Sequence, residues 1–146
     1  MNSRRKFGQL FGSALLFPIT GCTLNSGASK VEIDEISVGN ADLTSHRIHV
    51  LLLEGGEPVY WHSMEVEAFS EAENRLGGGE VNGYPTDPGR YTLYVWKNNQ
   101  SRSKWSEYNL SKHKSSCVKI LILVGNRREG KIEIRVSTDC PGESTD

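Results

Sequence analysis

The chain has 146 residues, enough for one domain with a single modest core, and its make-up is ordinary: 36% apolar, 24% charged and 15 glycines, which favour turns over long helices. Formal charge is −1; the first 21 residues hold Arg4, Arg5 and Lys6 and no acid, so the remainder carries 14 bases (17 less 3) against 18 acids. A mildly acidic domain with scattered charges argues against nucleic acid as partner, which would call for a basic stripe, and offers no polybasic patch to anionic lipid.

A basic opening, Ser3-Arg4-Arg5-Lys6-Phe7, comes first, followed by a weakly apolar stretch from Gly8 to Ile19. That stretch is about half of the ~20 residues a spanning helix needs, and Gln9, Gly12, Ser13 and Pro18 interrupt it. It therefore reads as a leader that is cleaved, residues 1–21, rather than a permanent span. Arg4, Arg5 and Phe7 resemble the core of the twin-arginine export motif, whose usual Leu-Lys continuation is Gly8-Gln9 here. Ile19-Thr20-Gly21-Cys22 resembles a lipobox, in which the cysteine receives a diacylglycerol-type lipid. Together they resemble the signals of prokaryotic surface lipoproteins, haloarchaeal ones among them. The resemblance covers 22 residues and implies a chain lipidated on Cys22, held by the membrane and displayed on its outer, extracytoplasmic face. Residues 22–30, rich in Ser, Gly and Asn, suit a flexible tether.

From residue 31 the pattern alternates with period two and is broken by turn residues. Val31 to Val38 predicts a strand that Gly39-Asn40 ends. Arg47–Leu53 and Val59–Val66 flank Glu54-Gly55-Gly56-Glu57, a strong hairpin signal. With a two-residue loop, Val50 would face Trp61 and Leu52 would face Val59 on a core side. His49 would face His62, and Leu51 would face Tyr60, on the other. Glu71 to Leu76 allows one helical turn, and Gly77-Gly78-Gly79 reads as a flexible loop. Asp87-Pro88-Gly89 turns into a strand over Arg90–Trp96, and Asn98–Lys104 is a polar loop. Trp105–Leu110 suits a short edge strand. Cys117–Val124, apolar but for Lys119, predicts a strand buried on both faces. Residues 125–130 turn the chain into Ile132–Val136, and the tail from Pro141 is polar.

These short strands, with a turn signal every ten residues or so, predict an all-β domain over residues 31–140: an antiparallel β-sandwich, with a small up-and-down barrel as the alternative. A buried Trp on the second hairpin strand, as expected of Trp61, and the stretch Asp87-Pro88-Gly89-Arg90-Tyr91-Thr92-Leu93 resemble the immunoglobulin and fibronectin type III domains and their tyrosine corner. The resemblance implies immunoglobulin-like layers. It does not extend to strand order, because Leu93 stands where a cysteine would be and at least two strands follow.

With Cys22 given to lipid, Cys117 and Cys140 remain, and outside the cytoplasm such a pair forms a disulfide around a loop of about 23 residues. The alternatives are two free thiols or metal ligands, for which no Cys-x-x-Cys spacing speaks.

Candidate chemistry is thin. His49 and His62, as cross-strand imidazoles with Glu65 or Glu67, are the one weak metal candidate; surface histidines are the plainer reading. Cys117, His113 and Met64 lack the run of a blue-copper site. Glu65 and Glu67 could pair as glycosidase carboxylates or face solvent. No nucleophile elbow or phosphate loop is present. No cofactor is expected, and no catalysis. Tyr94 and Trp96 share the face of their strand opposite Tyr91, Leu93 and Val95, an aromatic strip suited to a sugar or protein partner unless the 97–110 loop covers it. Asn99-Gln100-Ser101 and Asn109-Leu110-Ser111 match the N-glycosylation pattern. The expected job is binding or envelope architecture, toward an unknown envelope protein or glycan.

Overall fold

A computed structural model describes residues 29–125 and 132–141; Arg4, Arg5, Phe7 and Cys22 lie outside the described residues. Among the described residues eight strands form: β1 (Glu32–Asn40), β2 (His46–Glu54), β3 (Glu57–Val66), β4 (Gly77–Glu80), β5 (Tyr91–Lys97), β6 (Ser106–Asn109), β7 (Cys117–Val124) and β8 (Glu133–Ser137). They make two four-stranded sheets, ordered β4-β1-β7-β8 and β3-β2-β5-β6. The sheets pack as an open sandwich rather than a barrel, and every strand pair is antiparallel except β1 with β7.

The inner faces supply the core: Ile36, Val38, Ile120 and Ile122 from one sheet, Ile48, Val50, Leu52, Leu93 and Val95 from the other. Parity in β1 switches at a bulge where Asp34 has no partner, so Val31 and Ile33 point inward before it and Ile36 and Val38 after it. The Tyr84 hydroxyl donates to the Asp34 carbonyl at 2.9 Å, satisfying a group the bulge frees from the ladder.

Tyr91 is wholly buried, and its hydroxyl donates to the Asp87 carbonyl at 2.6 Å. This bond, from a core tyrosine back to a carbonyl four residues upstream, is the geometry of a tyrosine corner. Cys117 and Cys140 form a disulfide that ties the segment after β8 to the start of β7.

Several local readings change. Gly39 and Asn40 stay in β1, where Gly39 leaves room for the Leu76 and Leu123 side chains. Gly77-Gly78-Gly79 is an edge strand, not a flexible loop, and pairs with Val38 to Asn40. A Cβ at Gly77 would collide with the Glu67 carbonyl, and one at Gly78 with that of Val38. Glycine is needed there for close backbone approach. Glu71 to Asn74 form a turn closed by reciprocal Ser70–Arg75 backbone bonds, with Asn74 at φ 47°, so no helical turn forms. β7 is buried on both faces only over Ile122 to Val124; before that Cys117, Lys119 and Leu121 alternate outward as half-buried residues.

Candidate functional site

The hairpin turn at Gly55-Gly56 has two residues, both at positive φ (57° and 85°). Glu54 faces Glu57 and Leu53 faces Pro58, as the two-residue loop requires, but the register then slips by one. Val59 is the extra residue. Proline lacks the N–H that a continuous ladder would use, so the bulge falls beside it. Beyond it Leu52 faces Tyr60, Leu51 faces Trp61, Val50 faces His62 and His49 faces Ser63.

One slipped residue inverts every expected pairing on β3. Trp61, expected in the core, is 68% exposed on the outer face, and Val59 is exposed as well. His49 and His62 fall on opposite faces of the sheet, so the cross-strand histidine pair does not exist. Among the described residues no group of three or more His, Cys, Asp or Glu side chains could hold a metal ion. Cys117 is in the disulfide, and His113 is hydrogen-bonded to Tyr108 at 2.7 Å, which removes the copper arrangement. Glu65 is bound to Arg47 at 2.7 Å on the exposed face rather than poised against Glu67.

The outer face of β3-β2-β5-β6 is instead laid out in cross-strand rows. Ser63, His49 and Trp96 form one; Trp61, Leu51, Tyr94 and Glu107 form the next. The chain's three tryptophans meet here. Trp105, from the segment before β6, folds back so that its ring lies 3.8 Å from that of Trp96 at an interplanar angle of 7°. His49 stacks on Trp96 at 4.9 Å, and the Arg102 guanidinium lies 5.1 Å above Trp105 and 5.2 Å above Tyr94. His49, Trp96, Trp105 and Arg102 thus run as a stacked column, held by ring contacts and a cation over the indole. Trp61 leans on Trp96 at 6.1 Å, tilted by 54°.

The expected strip of Tyr94 and Trp96 is therefore in the right place but differently exposed. Trp96 is only 7% exposed, hidden by the 97–110 loop through Trp105. Trp61 and not Trp96 offers its indole to solvent. Trp61, Trp105, Arg102 and Ser63 join this face through the slipped register and the returning loop, and Pro58 inside an alternating run is the local sequence signal for that slip.

Polar groups brace the column. The His49 Nε2–H donates to the Asn98 carbonyl at 3.0 Å, since a carbonyl only accepts, and Nδ1 then accepts from the Ser63 hydroxyl at 2.6 Å. Asn98, at φ 51°, also gives its amide N–H to the Arg47 carbonyl, accepts the Arg47 N–H on Oδ1, and donates from Nδ2 to His46 Nδ1. His46 passes its other ring N–H to Asp42 at 2.7 Å. At the far row, Tyr94 donates to Glu107 at 3.1 Å; burial first, then this bond, raises its pKa, while Arg102 pulls it down. Of the sequon asparagines, Asn99 is exposed, and Asn109 accepts the Ser111 N–H on its Oδ1.

Compared with known proteins, the chain matches no family model, and no curated protein matches it significantly.

Proposed function

We propose that this protein is a lipid-anchored, extracytoplasmic binding protein, which displays one β-sandwich from the outer face of the membrane and does no catalysis. The anchor is supported by the signal-like order of residues 1–22 with Cys22 at its end. The binding role is carried by one observation: a rigid aromatic face with an exposed Trp61 at its margin. A free indole is costly to leave in water, and aromatic residues are enriched where proteins meet partners. The Cys117–Cys140 disulfide suits an oxidising compartment.

Two variants test this reading. Cys22→Ser in the native host should move the chain from the membrane fraction to the medium, and mass spectrometry of the unaltered protein should find a lipid on that cysteine. The released Cys22→Ser form, added back to envelope fragments, should be retained, and Cys22→Ser/Trp61→Ala should wash off. An intact leader on the native protein, or equal retention of both forms, would refute the proposal.

A further inference from the structure

Resting on the binding role just proposed, we infer that the Trp61 face is a platform for an uncharged glycan chain, with a sugar ring stacked on the exposed indole. A pyranose has one apolar C–H face and a rim of hydroxyl groups. Its complement is a single solvent-exposed aromatic plane with hydrogen-bonding side chains around it, set on a rigid and open surface.

Each part is on this face. Trp61 supplies the plane at 68% exposure and leans on Trp96, which the column of His49, Trp105 and Arg102 immobilises. Because that column is in place before any ligand arrives, little side-chain ordering remains for binding to impose. Ser63 and Glu65 follow Trp61 at the two-residue interval that keeps them on its side of β3, roughly 7 Å apart along the strand. Across the ladder they meet His49 and Arg47. The Ser63 hydroxyl oxygen, the Glu65 carboxylate and the Arg47 guanidinium therefore line one side of the indole, able to accept from and donate to sugar hydroxyls, while His49, engaged at both ring nitrogens, holds Ser63 in place.

The charges select among occupants. Arg47 is paired with Glu65 at 2.7 Å, and Arg102 lies over the ring of Tyr94, whose hydroxyl donates to Glu107, so these two bases are matched by two acids and leave no basic cluster for an acidic polymer. A protein partner, or a second copy of this chain, would need a charge-depleted centre around the anchor residue. Here a guanidinium–carboxylate pair lies two rows from Trp61. A neutral glycan can hydrogen-bond to that pair without separating it, whereas an apolar protein surface would bury it.

The test is affinity electrophoresis of the full chain in detergent micelles, through gels cast with neutral polysaccharides (a glucan, a mannan, a xylan) and with polygalacturonate as the anionic control. At least one neutral polymer should retard the chain. Trp61→Ala should weaken that retardation about tenfold, the worth of one aromatic stacking contact. Trp61→Tyr should keep most of it, and Ser63→Ala should lower it by a smaller factor. Unchanged circular dichroism would show that the variants fold. Retardation by no neutral polymer, by polygalacturonate alone, or equally for Trp61→Ala would overturn the assignment. So would a dimer in sedimentation that Trp61→Ala dissolves. If envelope fragments stripped of glycan still retained the chain through Trp61, the glycan would fall while the binding role stood.

Discussion

The two sheets turn contrasting outer faces to solvent. On β4-β1-β7-β8 the outward side chains include Glu35, Ser37, Lys119, Leu121, Arg135 and Ser137 around a shallow groove of about 430 Å³. Lys119 lies 3.6 Å from Glu35 and 3.8 Å from Asp34, and Arg135 binds Glu133 at 2.8 Å. That is an ordinary hydrated sheet surface, its ions paired and partly exposed. On β3-β2-β5-β6 the same layer holds three tryptophans, a tyrosine, a histidine and an arginine packed on one another. A sheet needs one buried face to fold, and the sandwich interior already provides it. The outer aromatic layer adds to stability through the nearly buried Trp96, but Trp61 at its margin is left mostly in water, and that exposed ring is the feature the fold does not itself require.

Truncating equivalent outward positions should separate the two faces most clearly. Trp96→Ala removes a ring that is nearly buried outside the core and should cost about 3–5 kcal/mol by denaturant titration. Arg135→Ala on the other sheet should cost less than about 1 kcal/mol. Equal losses would mean that the two faces do not differ in kind. The polar-faced sheet is stapled instead: Cys117→Ser with Cys140→Ser frees a loop of 23 residues and should lower stability by about 3 kcal/mol. Loss of under about 1 kcal/mol would show that β8 holds its place without the covalent tie.

Smaller effects sharpen the contrast. Tyr91→Phe deletes one buried hydrogen bond to Asp87 and should cost about 1 kcal/mol at neutral pH. Burial, and then Glu54 and Asp87 nearby, raise the Tyr91 pKa above 10.0. The unfolded chain thus sheds this proton first, so the stability held below about pH 10 is lost as pH climbs through the raised native value. Tyr91→Phe should flatten that alkaline decline; an unchanged slope would assign it to other groups such as Tyr60 and Tyr84, also raised by burial. Smallest of all, Trp61→Ala should shift stability by no more than about 0.5 kcal/mol, since its side chain is mostly in water. A larger loss would make Trp61 a structural member of the aromatic layer rather than a surface held ready for a ligand.

Much of this molecule follows from local pattern. Alternation from residue 31 marks most of the strands, and Gly55-Gly56 marks the turn. The order Asp87-Pro88-Gly89-Arg90-Tyr91 marks the corner, and two cysteines beyond residue 22 mark the disulfide. Each of these is written within a few neighbouring residues or, for the cysteines, by elimination. The candidate face is only half legible: alternation puts Tyr94 and Trp96 on the outward side of β5, but it puts Trp61 inward and Trp105 on an edge strand. β4 was invisible as a strand because three glycines have no alternation to read.

Parity and partnership come from contacts between distant segments. A strand's side chains obey a rule of two, so the single extra residue at Val59 exchanged the core and solvent roles of everything after it in β3. The parallel union of β1 with β7 joins Glu32 to Cys117 and Asn40 to Val124 across more than eighty residues. The stacking of Trp105 on Trp96 depends on how the intervening loop returns to the sheet. No short window contains these choices, because the favourable contacts that settle them form only after the sheets have come together.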